Sequence, residues 1–155
     1  MTHFLKTDTV NNFIGFIVSL SESIRKKKLS DPCHESETLT SICFIPPIQQ
    51  AGRFGNYAYR DWYDRLLAQS EALMLNFLPE DLKCSTVELV PYFTDSFGNS
   101  IRLDYGTGHE VNFTAWLYCL AKIGLLKEED YQAVVSRVFI NQFLLCDFSI
   151  FVVFF

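Results

Sequence analysis

Between Glu110 and Ile123 the chain is apolar at nearly every position, with Val111, Phe113, Ala115, Trp116, Leu117, Tyr118, Cys119 and Leu120 in one run. A helix of that composition has no face suited to water, so other helices must surround it at the centre of a bundle. Gly124 follows as a natural stop. The segments that could do the surrounding are legible. From Val10 to Lys28, residues Val10, Phe13, Ile14, Ile17, Leu20 and Ile24 recur at helical spacing. A second helix is expected after Asn56, a candidate N-cap, ending before Pro79, with Tyr59, Trp62, Tyr63, Leu66, Leu67, Leu73, Met74 and Phe77 as its stripe. On its outer face Asp61 and Arg65 are spaced to pair. Ser85-Thr-Val-Glu88 has the form of a capping box opening a third helix to about Ser96, with Pro91 expected to kink it or shift its start. A fifth runs from Glu128 to about Phe139 through Tyr131, Val134, Val135 and Val138. No period-two alternation precedes the tail. The expected class is all-α, a multi-helix bundle of about one domain.

Charge and cysteine usage narrow the function. The 155 residues carry a formal charge of −5, the wrong sign for a nucleic-acid binder. The aromatic stripe of the second helix therefore reads as core and not as a base-stacking platform. The basic run Arg25–Lys28 reads as a cationic helix C-terminus, with contact to an acidic surface as the alternative. Five dispersed cysteines without a CxxC pair suggest free thiols in a reducing compartment, Cys119 among them as a small core residue. His3, His34 and His109 stand apart from those cysteines, so no metal site is expected. The N-terminus lacks the pattern of a secretory signal, which leaves the sequon at Asn112-Phe-Thr114 a chance match. Residues 29–41 and the turn Ile45-Pro-Pro-Ile48 read as loop. The tail Ile140–Phe155 is apolar and β-prone but shorter than the ~20 residues a bilayer requires.

One segment is not explained by core packing. Phe97-Gly-Asn-Ser-Ile-Arg-Leu-Asp-Tyr-Gly-Thr-Gly-His-Glu110 sets three glycines, a guanidinium and hydroxyl side chains between two apolar helices. Glycines next to a helix start expose backbone N–H groups, and Arg102 adds a fixed positive fork; both suit a phosphate. It is neither a P-loop nor a dinucleotide fingerprint. The other reading is structural: glycines that turn the chain, Arg102 paired with Asp104 or Glu110, and His109 capping a helix. Composition leaves both open.

Gly98–Glu110 resembles the signature of the phosphotyrosyl phosphatase activator family, the activators of protein phosphatase 2A. Pro46-Pro-Ile-Gln-Gln50, Arg53-Phe-Gly-Asn-Tyr-Ala-Tyr-Arg-Asp-Trp62, and Trp116-Leu-Tyr-Cys-Leu120 running on to Glu129-Asp-Tyr131 agree with it in order. Val87–Phe97 resembles the plant-type members. The resemblance implies an all-helical protein that binds ATP, acts on the phosphatase catalytic subunit and has peptidyl-prolyl cis-trans isomerase activity. Its nucleotide contacts fall here on Arg102, Thr107 and Gly108; it fixes no catalytic residue. Residues 1–139 are then a shortened activator domain, reduced further near 37–45, and 140–155 are an apolar tail outside the family pattern. The family's second half, with its magnesium site and remaining ATP contacts, has no counterpart, so ATP binding is expected to be weak or undetectable. The alternative is a non-catalytic fragment that at most binds the phosphatase. A cytoplasmic location, with nuclear access, is the expectation, with no membrane or nucleic acid as partner.

Overall fold

In the computed structural model, residues 7–34, 57–102 and 106–141 are described. The expected N-cap Asn56, the shortened stretch 37–45, Asp104 and the tail from 142 lie outside them. The described residues are helical, with no extended strand: α1 (Asp8–Ser23), α2 (Tyr57–Phe77), α3 (Thr86–Asp95), α4 (Thr107–Lys122) and α5 (Tyr131–Ala133), the last continuing as a π-helical segment, Val134–Phe139. Short 3₁₀ turns at Glu80–Ser85 and Glu128–Asp130 lead into α3 and α5. α3 packs between α2 and α4, while α1 lies against α4 and α5.

The core follows the helical periodicity. On α2 the buried positions are Tyr59, Tyr63, Leu66, Ser70 and Met74, spaced three or four apart. Leu67 and Leu73, expected in that stripe, are exposed. On α4, Phe113, Trp116, Leu117 and Leu120 are buried, and Trp116 lies 5.1 Å from Phe93 and 5.6 Å from Phe113 by ring centroids. Val111, on the opposite side, is 54% exposed. The central helix is thus enclosed along most of its circumference but not all of it. It ends in a Schellman motif: Gly124 has φ +81°, its N–H donates to Ala121 O, and the Leu125 N–H donates to Leu120 O.

Several local expectations change. α1 stops at Ser23, where the Ser23 hydroxyl donates to Leu20 O, and Lys26 takes a left-handed φ of 60°. The basic run therefore lies past the last turn of the helix. Arg25 pairs with Glu22 at 2.7 Å, and Lys27 Nζ donates to Gln132 Oε1. The capping box at Ser85 is not made, because the 3₁₀ turn runs directly into α3 and Ser85 is already helical. Pro91 is accommodated inside α3. Arg65 Nε donates to the Asp61 backbone carbonyl at 3.1 Å. α4 begins at Thr107, close to a turn earlier than Glu110.

Residues 24–34 form a strap over α5. Arg137 Nη1 donates to Leu29 O at 2.6 Å, Gln132 Nε2 to Pro32 O at 3.3 Å, and His34 Nδ1 lies 3.1 Å from Asp130 Oδ1. Asp130 is 1% exposed and also accepts the Lys127 N–H, so its two oxygens join the strap to the turn that opens α5. Phe16 of α1 closes on Tyr131 edge to face at 5.4 Å. Replacing Asp130 with Ala should cost about 1–2 kcal/mol, because the part-buried Lys127 N–H and the His34 imidazole lose their acceptor together; urea unfolding measures it.

Burial raises the Tyr63 phenol above its ordinary 10.0, helped by Asp95, and raises the Cys119 thiol above 9.0, helped by Glu88. A raised folded pKa favours the neutral form in the fold. That stability is complete below the unfolded pKa and is lost as pH rises through the folded one. The melting temperature should therefore fall more steeply above about pH 9–10 than at neutral pH. Tyr63→Phe should reduce the alkaline loss, measured as Tm against pH.

Candidate functional site

The site is built on the α3–α4 corner. Phe97, just past α3, is 2% exposed and is gripped edge to face by Phe93 at 5.0 Å and Trp62 at 5.5 Å. Its carbonyl accepts the Tyr59 hydroxyl at 2.6 Å, while Tyr63 donates to Thr94 O at 3.3 Å. The chain then reverses at Gly98, whose φ of 105° is one that side-chain-bearing residues rarely adopt.

Beyond Gly98 an Asx turn takes over. Asn99 Oδ1 accepts the backbone N–H groups of Ile101 at 3.0 Å and Arg102 at 2.8 Å. From α2, Arg60 Nε donates to Ser100 O at 3.0 Å and Nη2 reaches Ile101 O at 3.5 Å. At the tip, Ile101 is 82% exposed, and Arg102 is exposed beside it.

The chain re-enters at Gly106, the N-cap of α4. Its φ of −170° is ordinary extended backbone, and it offers no side chain to cap the helix. The His109 N–H donates to Gly106 O at 2.8 Å, while those of Thr107 and Gly108 have no carbonyl one turn back and mark the positive end of the helix dipole. A Cβ added to Gly106 or Gly108 would meet nothing within 4 Å. The two glycines are therefore not demanded by backbone conformation; they leave the surface above the helix start open. His109 fixes this end of α4. Its Nδ1 lies 2.6 Å from Asp95 O, and because a carbonyl only accepts, Nδ1 carries the proton. His109 thus ties α4 to the last turn of α3, a structural role of the kind weighed for it above.

Arg102, Thr107 and Gly108 are all exposed, Arg102 at the end of the described loop and Thr107 and Gly108 in the first turn of α4. A guanidinium, a hydroxyl and uncapped helical N–H groups are donors suited to phosphate oxygens. Among the described residues no cluster of His, Cys, Asp and Glu suits a metal ion, and no helix is long and apolar enough to cross a membrane. Sequence reasoning missed the supports: Tyr59 and Arg60 on α2, and Asn99. The one signal for the first two was their place in the Arg53–Trp62 motif.

The two kinds of glycine separate by mutation. Gly98→Ala should cost about 1–3 kcal/mol, the strain of a left-handed alanine. Gly108→Ala should leave stability unchanged or raise it by up to about 1 kcal/mol. Chemical denaturation of both variants checks this.

The sequence model of the phosphotyrosyl phosphate activator (PTPA) protein family matches residues 1–148, reaching past Phe139. A probable serine/threonine-protein phosphatase 2A activator 1 of Dictyostelium discoideum is 38% identical over 147 residues, covering 88% of this chain and 45% of the relative. The serine/threonine-protein phosphatase 2A activator of Drosophila melanogaster is 38% identical over 150 residues, covering 90% of this chain and 37% of its own length. The crystal structure of the PP2A phosphatase activator Ypa1 superposes with a TM-score of 0.53 at 26% identity, over 90% of this chain and 38% of that one. The chain spans less than half the length of these relatives. By the extent of the family match and the shared helical fold, it belongs to the phosphotyrosyl phosphate activator (PTPA) family.

Proposed function

We propose that this chain acts on the catalytic subunit of protein phosphatase 2A as an activator, holding ATP phosphates at the start of α4. The observation that carries the reading is the α4 N-terminus: a glycine N-cap without a side-chain cap, with open space above Gly106 and Gly108. Arg102 would supply a fork for two phosphate oxygens, Thr107 a hydroxyl donor, and Gly108 an N–H that a phosphate can approach without meeting a side chain. Bound ATP would bring a dense negative charge to the corner where α3 and α4 meet. No step is assigned to magnesium, because the described residues offer it no ligand cluster.

The isomerase activity belongs to the same proposal. Prolyl isomerisation needs no nucleophile; it needs a pocket that stabilises a twisted amide against a barrier of about 18–20 kcal/mol. Cytoplasm and nucleus are the compartments in which we place the activity. A second reading has the chain binding the phosphatase without activating it.

Reactivation of inactive phosphatase catalytic subunit by the purified chain, with MgATP, separates the two readings. Recovered phosphatase activity supports the activator; binding without recovery supports the second reading. Gly108→Ala should weaken nucleotide affinity about tenfold without loss of stability. Unchanged affinity in that variant would remove α4 from the nucleotide site.

A further inference from the structure

The tip of the 97–102 loop poses a physical puzzle. Ile101 is 82% exposed and Arg102 is exposed, so no burial holds them in place. A loop tip of this kind is ordinarily the most mobile part of a chain. Yet the two peptide units that flank Ile101 are each held at both ends. In the first, Ser100 O accepts Arg60 Nε and the Ile101 N–H donates to Asn99 Oδ1. In the second, Ile101 O faces Arg60 Nη2 and the Arg102 N–H donates to the same Asn99 oxygen. Two side chains, one from α2 and one from the loop itself, grip opposite edges of two consecutive peptide planes.

The grip has little to offer the core. Arg60 is half-buried and Asn99 likewise, and the loop's own anchorage is already provided by Phe97 and Tyr59. What the clamp does fix is direction. With both planes held, the Arg102 N–Cα bond leaves the loop in a set direction, so the side chain is carried on a fixed base. A guanidinium on a wagging tip would lose conformational freedom on meeting a phosphate; one on a fixed base loses less.

From this we propose that Arg60 and Asn99 are positioning residues for the phosphate site. Neither needs to touch the nucleotide. They act through the backbone on Arg102, and Arg60 does so from α2, which carries the Tyr57–Trp62 part of the motif. The inference rests on the reading of Arg102 as a phosphate ligand, and it adds the part of the structure that makes Arg102 effective.

A double-mutant cycle tests it, with MgATP titrated into the full chain and dissociation constants read from amide chemical shifts. Arg60→Ala should weaken binding about fivefold in the parent chain and by less than about twofold in an Arg102→Ala background, because its effect runs through Arg102. Arg60→Lys, which keeps the charge but loses the two-pronged geometry, should behave like Arg60→Ala and not like the parent. Equal losses in both backgrounds would make Arg60 a general structural or electrostatic residue and overturn the proposal. Parent-like affinity in Arg60→Lys would overturn the geometric argument.

A second measurement needs no nucleotide. Hydrogen exchange at the Ile101 and Arg102 amides should accelerate at least about tenfold in Asn99→Ala and in Arg60→Ala. Asn99→Asp, which keeps the acceptor, should retain protection. If the parent chain fails to bind MgATP while exchange behaves as stated, the phosphate reading fails and the clamp stands as a loop support alone. If exchange is unchanged in both alanine variants, there is no clamp, whatever the nucleotide result.

Discussion

Trp116 is the contact on which the remainder of the molecule depends. It is 1% exposed, stacked on Phe113 and tilted against Phe93, so it locks α4 against α3. Phe93 in turn meets Phe97, and Phe97 meets Trp62 of α2. This unbroken row of rings runs from the middle of α4 to the root of the loop. Aromatic contacts of this kind combine a large buried area with a preferred geometry, so the row sets angles as well as distances. The position of the loop relative to the start of α4 is a consequence of that packing. The row also has a cost: Trp116 Nε1 is buried without a hydrogen-bond partner among the described residues.

Polar contacts refine what the rings define. His109 ties α4 to the carbonyl of Asp95, Tyr59 and Tyr63 hold the carbonyls at the end of α3, and Arg60 with Asn99 secures the loop beyond. Most of these side chains spend their hydrogen bonds on backbone carbonyls, the groups a helix end leaves unsatisfied. The N-terminus of α4 is treated differently. It receives a glycine and no capping side chain, and a Cβ built on Gly106 or Gly108 would meet nothing within 4 Å. At one corner of the bundle, acceptors are satisfied and donors are left available, which is the polarity an anion requires. The strap of residues 24–34 shows the same economy on the far side, where one buried carboxylate, Asp130, serves both the strap and the turn before α5.

Helix identity was legible because periodicity and stop signals are local. The bounds of α2 and the Gly124 stop read directly from composition, since proline, glycine and a regular apolar stripe act within a few residues. What failed also has a local cause. Ser85 was expected to cap α3, but a 3₁₀ turn already occupies that position, and backbone geometry decided against the side chain. The lysines after α1 were expected in its last turn; instead Lys27 reaches Gln132, a partner 105 residues away. The loop was flagged by its glycines, yet the glycine that the backbone needs is Gly98, and Gly106 and Gly108 matter for the space they leave.

The sequence by itself determined an all-helical chain, the family to which its motifs point, and Arg102, Thr107 and Gly108 as the residues to examine. These depend on residue type and order, which a linear string records completely. Tertiary structure alone decided that Tyr59 and Arg60 reach across to the loop, that Asn99 holds the other edge of the same peptide planes, and that His109 belongs to the helix junction. Each of those roles is a meeting between segments 14 to 41 residues apart, or a choice of which backbone group a side chain faces. Spacing along a chain cannot express such a meeting; only the packing of Trp116, Phe93 and Phe97 brings the partners within reach.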